Sequence, residues 1–158
     1  MEPLPPLIRL TLRPGTVYYF VHRDLTSPEP HYFIVLNTQP LTDSFLILTV
    51  GSSQLGTVRR RRSAMPAETL VEVSPSEYAD FRVPTIVDCN QVFELPREEL
   101  VEKIESRQIR SHRDLPAEIL TRIRNGVMVS PRVDESHKNL LRSSPPQTPP
   151  VDGGLENP

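Results

Sequence analysis

Short runs of apolar, aromatic and β-branched residues occupy the first two thirds of the chain and predict a succession of strands. The first three runs cover residues 16–21, 31–36 and 44–50, and turns containing Pro, Gly, Asn or Asp separate them. The run at 31–36 is apolar at both alternating positions, which is typical of a central strand covered on both faces.

Three further strand runs are predicted at residues 69–73, 85–87 and 91–94. All six runs are short and follow one another without helical crossovers, so we expect mostly antiparallel pairing. The predicted fold class is mainly β with added helices: a small antiparallel barrel with a short helix and C-terminal helices.

Three helical segments accompany the strands. Residues 74–77 form a capping-box pattern with Pro at the first helical position, which predicts a single turn through Tyr78. A second helix is predicted to open at residues 96–99, where two glutamates suit the positive first turn. A third is predicted to begin after a cap at Asp114 and to end at Gly126.

Both ends of the chain are predicted to be loose. The 158 residues are enough for one domain and a tail, and we place the folded domain at residues 8–131, after a lead-in at residues 1–7. Residues 132–158 are predicted to be a Pro-rich, disordered tail, because the sequence from Ser143 onward holds too few apolar residues to offset the entropy of ordering. A PxxP pattern at residues 146–149 could bind an aromatic groove, although a solvated tail is the simpler interpretation.

Composition excludes several classes of protein and names no activity. The chain has 18 basic and 20 acidic residues, a balance that is not typical of a dedicated nucleic-acid or membrane protein. The single cysteine, Cys89, cannot form an intramolecular disulfide or a multi-cysteine zinc site, and we interpret it as a structural thiol. Because no apolar stretch approaches the roughly 20 residues of a membrane span and no signal peptide is recognisable, we expect a cytoplasmic protein with no membrane partner.

No established catalytic motif occurs in the sequence. It contains no phosphate-binding glycine loop, no HExxH pattern and no GxSxG nucleophile elbow. The four histidines, His22, His31, His112 and His137, are dispersed, so a metal site would need a convergence that the sequence does not indicate. We therefore predict neither a metal nor another cofactor.

Four successive arginines, Arg59, Arg60, Arg61 and Arg62, are the most conspicuous local feature. They are predicted to lie on a hairpin or loop. Their guanidiniums could hold phosphates through bidentate hydrogen bonds and the release of counterions. A solvated loop explains the same run equally well, because adjacent like charges repel and stay hydrated.

Imidazole and hydroxyl groups are predicted at two strand ends. His31 begins the central strand, and a histidine there could move a proton to or from a ribose hydroxyl. Ser52 and Ser53 follow the third strand after Gly51, where a hydroxyl could orient a phosphate. The structural alternatives are a histidine bonded to backbone and serines that satisfy a turn.

The order of several of these segments is that of a known family. The matching segments are residues 14–19, 31–37, 48–53, 86–93 and 97–104. Over about residues 12–129 the chain resembles the PemK/MazF-like toxins of bacterial toxin–antitoxin systems, which are mRNA interferases. The strand at 86–93 followed by a helix is the best-matching part.

The resemblance implies an SH3-like barrel that forms a homodimer and cleaves single-stranded RNA without a metal. In that family the ribose 2′-hydroxyl attacks the neighbouring phosphate, a general base takes its proton and a cation stabilises the developing charge. It also implies a cognate antitoxin as partner. On this interpretation His31, Ser52 and Ser53 are catalytic, and the four arginines bind RNA together with Tyr32.

The chain departs from the family pattern at both hallmark positions. Where the family has an Arg-Pro pair opening the second strand, this sequence has Pro30, His31 and Tyr32, and Ser52 is the hydroxyl closest to the family threonine. His31 could replace the arginine as acid or base. The alternatives are a non-catalytic SH3-like barrel that binds a protein or nucleic acid and, less favoured, a toxin that poisons DNA gyrase by protein contact.

Overall fold

The computed structural model describes residues 3–142, which form a mixed α/β fold. Six strands are present in these residues: β1 (Val17–Phe20), β2 (His31–Val35), β3 (Phe45–Ser52), β4 (Leu70–Val73), β5 (Thr85–Pro96) and β6 (Arg110–His112). Five α-helices accompany them: α1 (Pro6–Thr11), α2 (Leu55–Arg61), α3 (Arg97–Glu105), α4 (Ala117–Val129) and α5 (Glu135–Arg142). The predicted combination of strands and added helices is confirmed, but the fold is mixed α/β and not mainly β.

The strands form one antiparallel sheet in the order β4-β5-β3-β2-β1-β6. The antiparallel pairing is confirmed. Among the described residues, however, the outer strands β4 and β6 do not pair with each other, so hydrogen bonds do not close the sheet into a barrel. The register places Tyr19 opposite both Tyr32 and Arg110, and Tyr32 opposite Gly51.

Both faces of the sheet are covered by apolar side chains. Two successive residues of β2, Phe33 and Ile34, belong to different cores. Ile34 lies in the core that contains Ile123 of α4, whereas Phe33 lies in the core that contains Ile8 of α1 and Leu100 of α3. All five side chains are almost fully buried. The prediction that this strand is covered on both faces is confirmed, and the burial of apolar surface stabilises both layers.

The runs predicted at residues 85–87 and 91–94 are one continuous strand, β5, of 12 residues. Asp88 and Asn90 lie between the two runs, and both are buried in the sheet. Asn90 Nδ2 donates to Asp88 Oδ1 at 3.0 Å and to Thr69 Oγ1 at 2.9 Å. These bonds satisfy the polar groups, so the strand continues through them.

Two of the helical predictions are confirmed as they stand. α3 begins at Arg97, directly after the proline that was expected to open it. The predicted single turn is present after β4, because the Tyr78 N–H donates to the Ser74 carbonyl at 3.1 Å. The Glu77 carboxylate accepts from the Ser74 N–H at 2.9 Å, as a capping box requires.

The prediction for α4 was wrong at both ends of the helix. Pro116, and not Asp114, occupies the N-cap position. The Asp114 carboxylate instead accepts a hydrogen bond from Arg13 Nε at 2.7 Å. Gly126 does not end the helix but lies inside it. A Cβ added there would be 2.8 Å from Cys89 Sγ, so the glycine permits α4 to approach β5 closely.

α5 lies at the start of the region predicted as a disordered tail, residues 132–158. Its Lys138 and Leu141 are three positions apart and therefore share a face, and both are buried. Lys138 Nζ donates to the Ser130 carbonyl at 2.7 Å, which gives the buried ammonium a partner. Ordered structure thus replaces the first part of the predicted tail, and residues 143–158, with the PxxP pattern, lie outside the described residues.

α1 begins inside the segment predicted as a loose lead-in, residues 1–7. It is anchored by Ile8, which is fully buried, while Leu7 and Leu10 on its outer face stay exposed. Within residues 3–142, no helix combines the length and the apolar character that a membrane crossing needs.

Candidate functional site

A surface cavity of about 610 Å³ opens where β2 begins and β3 ends. We call it the strand-end cavity. Five residues singled out in the sequence line it: His31, Tyr32, Ser52, Ser53 and Arg61. They come from β2, from the end of β3 and from α2, and the antiparallel pairing of β2 with β3 brings the first two groups together.

His31 presents one ring nitrogen that is free to accept a proton. Its Nδ1 lies 3.0 Å from the carbonyl oxygen of Glu29. Because a carbonyl only accepts hydrogen bonds, Nδ1 carries the proton, and Nε2 of the neutral ring keeps its lone pair. Among the described residues Nε2 has no recorded partner. The hydrogen bond from His31 to backbone, which was the structural alternative, is therefore present. The same bond holds the proton on Nδ1 and leaves Nε2 available to act as a general base.

Two serine hydroxyls lie across from His31 at the end of β3. The Ser52 Oγ accepts a hydrogen bond from the Gln54 N–H at 3.1 Å, so its own O–H remains able to donate. Ser53 follows in the exposed turn before α2. The Ser52 hydroxyl satisfies the turn, as the alternative interpretation expected, and both serines line the cavity.

The arginine run is helical, and its prediction as a hairpin or loop was wrong. Arg59, Arg60 and Arg61 lie in α2, and Arg62 follows as its C-cap. Each residue of a helix is rotated by about 100° from the previous one, so the four guanidiniums point in different directions. Of the four, only Arg61 lines the strand-end cavity.

The other three arginines are outside the cavity, so the prediction of one RNA-binding cluster needs correction. Arg59 pairs with Glu72 of β4 at the surface. The Arg62 side chain is mostly shielded from solvent and donates from Nε to Asp88 Oδ2 at 2.9 Å. Arg60 is exposed and forms no recorded ion pair among the described residues.

Tyr19 and Arg82 also line the cavity, and the sequence analysis did not single them out. The position of Tyr19 at the cavity results from the pairing of β1 with β2, which places Tyr19 opposite Tyr32. Arg82 lies in the long connection between β4 and β5. No local sequence pattern indicated that this connection reaches the cavity. Burial and the neighbouring Tyr19 raise the pKa of Tyr32, and the charges of Arg82 and Arg110 oppose that rise.

The remaining histidines and the cysteine do not join His31. His22 is buried among Phe20, Phe33 and Phe93, and its Nε2 donates to the Glu94 carbonyl at 2.9 Å. His137 Nε2 lies 2.7 Å from the Glu94 carboxylate on another part of the surface. Burial raises the pKa of Cys89 strongly, as expected of a structural thiol. Within residues 3–142 no group of three or more His, Cys, Asp or Glu side chains is arranged to hold a metal ion.

The fold and the strand-end cavity together define a mixed α/β protein with one imidazole, two guanidiniums and several hydroxyls around a surface cavity. Comparison of the sequence with protein-family models and with curated proteins gives no match.

Proposed function

We propose that the protein is an endoribonuclease that cleaves single-stranded RNA in the strand-end cavity without a metal. The observation that supports this most directly is the convergence of His31, Ser52, Ser53 and Arg61 on one cavity. These residues supply a proton acceptor, two hydroxyl donors and a permanent positive charge. That is the set of groups needed for intramolecular cleavage of a ribose phosphate.

The proposed step is attack by the ribose 2′-oxygen on the adjacent phosphorus. The new O–P bond forms as the bond from phosphorus to the 5′-oxygen of the next nucleotide breaks. The 2′-hydroxyl proton passes to Nε2 of His31, and the leaving 5′-oxygen takes a proton from water. Arg61 stabilises the charge on the non-bridging oxygens, and Ser52 donates to one of them. The products are a 2′,3′-cyclic phosphate and a 5′-hydroxyl.

The resemblance to PemK/MazF-like toxins belongs to this proposal. β1, β2, β3, β5 and α3 occupy the segments on which the resemblance rests. We accordingly propose that the sheet is an opened form of the SH3-like barrel, and that the protein acts as a cytoplasmic homodimer neutralised by a cognate antitoxin. Size-exclusion chromatography with light scattering tests the dimer directly.

Incubation of the purified protein with single-stranded RNA in EDTA tests the proposed reaction. We expect the wild type to cut the RNA and leave 2′,3′-cyclic phosphate ends. His31→Ala is expected to lower the rate by about 100-fold or more, because the attacking hydroxyl loses its base. His137→Ala is the matched control, since His137 lies outside the strand-end cavity, and it is expected to retain the wild-type rate.

Two outcomes would count against the proposal in different ways. If the folded wild type leaves RNA intact, the endoribonuclease is wrong and the chain is better explained as a non-catalytic binding protein. If the wild type cuts RNA and His31→Ala cuts equally fast, the activity stands but His31 is not its base.

A further inference from the structure

Two tyrosines form a rigid aromatic surface at one side of the strand-end cavity. The rings of Tyr19 and Tyr32 have centroids 4.7 Å apart at an interplanar angle of 48°. Behind them, Tyr32 meets Phe81 edge-on at 5.0 Å and His112 at 5.2 Å. The Tyr32 hydroxyl donates to the Asp80 carbonyl at 3.1 Å. Tyr32 is thus fixed in place, and both tyrosines stay partly exposed.

The tyrosines belong to a row of side chains that runs across the sheet. Strand register aligns Arg110 of β6 with Tyr19, Tyr19 with Tyr32, and Tyr32 with Gly51. Directly opposed residues of antiparallel strands project from the same face of the sheet. Gly51 lines the strand-end cavity, so the row leads from the cavity to the outer strand β6.

Two unpaired arginines flank this row. Arg82 lines the cavity and Arg110 lies on β6, and both are exposed. Neither forms a recorded ion pair within residues 3–142. The nearby carboxylate of Asp80 is already bound by Arg113 and lies 3.4 Å from His112 Nδ1. Of the residues that line the cavity, Glu29, in the loop that precedes β2, is the one with a carboxylate.

We propose that Tyr19, Tyr32, Arg82 and Arg110 form a nucleotide subsite that holds single-stranded RNA beside the cleavage position. One base stacks on Tyr19, and the two guanidiniums bind the flanking phosphates. The strand then leaves the cavity across β1 toward β6. Aromatic rings combined with unpaired cations bind single strands, because their bases are free to stack. The choice of RNA as ligand rests on the proposed function, whereas the subsite itself rests on this geometry.

Binding of a short fluorescent 2′-O-methyl oligonucleotide, followed by anisotropy, tests the subsite separately from cleavage. The methyl group blocks attack by the 2′-oxygen, so the probe stays intact. Tyr19→Leu is expected to weaken binding by about tenfold, while Tyr19→Phe keeps the ring and is expected to retain wild-type affinity. Arg110→Gln is expected to make the slope of log affinity against log salt shallower by about 0.7. Arg9→Gln, on α1 and outside the cavity, is the charge-matched control.

The outcomes separate the subsite from the nuclease. Binding that shows these dependencies, in a protein that cuts no RNA, would support the subsite and remove the proposed reaction. Wild-type affinity and salt slope in both Tyr19→Leu and Arg110→Gln would overturn the subsite, whether or not RNA is cut. No binding of the probe by the wild type, or equal binding of a duplex of the same sequence, would overturn it as well.

Discussion

The four successive arginines illustrate how surroundings give one residue type different energetic roles. The side chain of Arg62 is 10% exposed and that of its partner Asp88 is 4% exposed, so this pair is removed from water. The side chains of Arg59 and Glu72 are each about half exposed. Charges in water interact weakly because solvent and salt screen them. A buried charge that loses its partner is costly, because nothing compensates for its lost hydration.

Removing Arg62 should therefore destabilise the protein far more than removing Arg59. We expect Arg62→Ala to lower the free energy of unfolding by about 3 kcal/mol, because the buried Asp88 loses its hydrogen-bonded cation. The cation that remains, Arg61, is more distant, with its Nη2 3.8 Å from Asp88 Oδ2. Arg59→Ala is expected to cost no more than about 1 kcal/mol. Urea denaturation followed by circular dichroism measures both values. Equal losses from the two variants would contradict this difference between the pairs.

Strand pairing explains why His31 and Ser52 of the candidate site could be predicted from the sequence. His31 and Ser52 are far apart in sequence, but both lie at the ends of runs that pattern identified as strands, and antiparallel neighbours place such ends together. Arg82 lies in an irregular connection, and its arrival at the cavity depends on contacts with distant parts of the chain. The partners of Arg59 and Arg62 were missed for the same reason.

At the scale of elements, two helical glycines differ in what surrounds them. Gly126 lies in α4 where an added Cβ would meet the Glu68 carbonyl oxygen at 2.6 Å and Cys89 Sγ at 2.8 Å. Gly56 lies in α2 with nothing within 4 Å of that position. Alanine favours a helix over glycine by up to about 1 kcal/mol. At Gly126 the close contacts oppose the helix preference of alanine. At Gly56 no neighbouring atom opposes it.

We expect the same substitution to have opposite effects at the two sites. Gly126→Ala should lower the free energy of unfolding by about 2 kcal/mol, since either β5 or the helix must move to admit a methyl group. Gly56→Ala should raise it by about 0.5 kcal/mol through helix propensity alone. Thermal and urea denaturation of both variants give the comparison. A stabilising Gly126→Ala would show that α4 does not approach β5 as closely as described.

The pattern of apolar and polar residues predicted the elements that are stabilised by burying their own apolar face. It failed for elements that depend on contacts with residues distant in sequence. β2 was recognisable from its run of apolar residues. β5 was divided in two because Asp88 and Asn90 look like a break, and their acceptors and donors, such as Thr69, lie outside the strand. The arginine run looked like a loop because the partners of Arg59 and Arg62 lie in the sheet, the Arg62 partner being 26 positions away.

At the scale of the whole molecule, side chains connect the two ends of the sheet that strand pairing leaves apart. β4 and β6 are the outer strands at opposite ends of the sheet. Residues 74–84 follow β4, and from this segment Tyr78 donates its hydroxyl hydrogen bond to the Arg113 carbonyl, just after β6. The Asp80 carboxylate accepts from Arg113 N at 3.0 Å and from Nη2 at 2.8 Å. These polar contacts form a bridge between the segment that follows β4 and the residue that follows β6.

This bridge should respond to acid through Asp80. Hydrogen bonds from Arg113, together with its charge and that of His112, lower the pKa of Asp80 from 3.8 to about 2. Because the pKa is lower in the folded state, the stabilisation is fully present above the unfolded value and is lost as the pH falls toward 2. Since the pair is near the surface, we expect a contribution on the order of 1 kcal/mol.

Urea denaturation of the wild type and Asp80→Asn, from neutral pH down through the pKa of Asp80, measures that contribution. The variant lacks the carboxylate, so it should be less stable than the wild type at neutral pH, and the difference should shrink as the wild-type carboxyl is protonated. Asp134→Asn removes an exposed carboxylate for which the structure records no ion pair among the described residues. The free energy of unfolding of this control variant should change with pH in the same way as that of the wild type. A difference between wild type and Asp80→Asn that persists unchanged in acid would mean that packing, and not charge, gives Asp80 its role in the bridge.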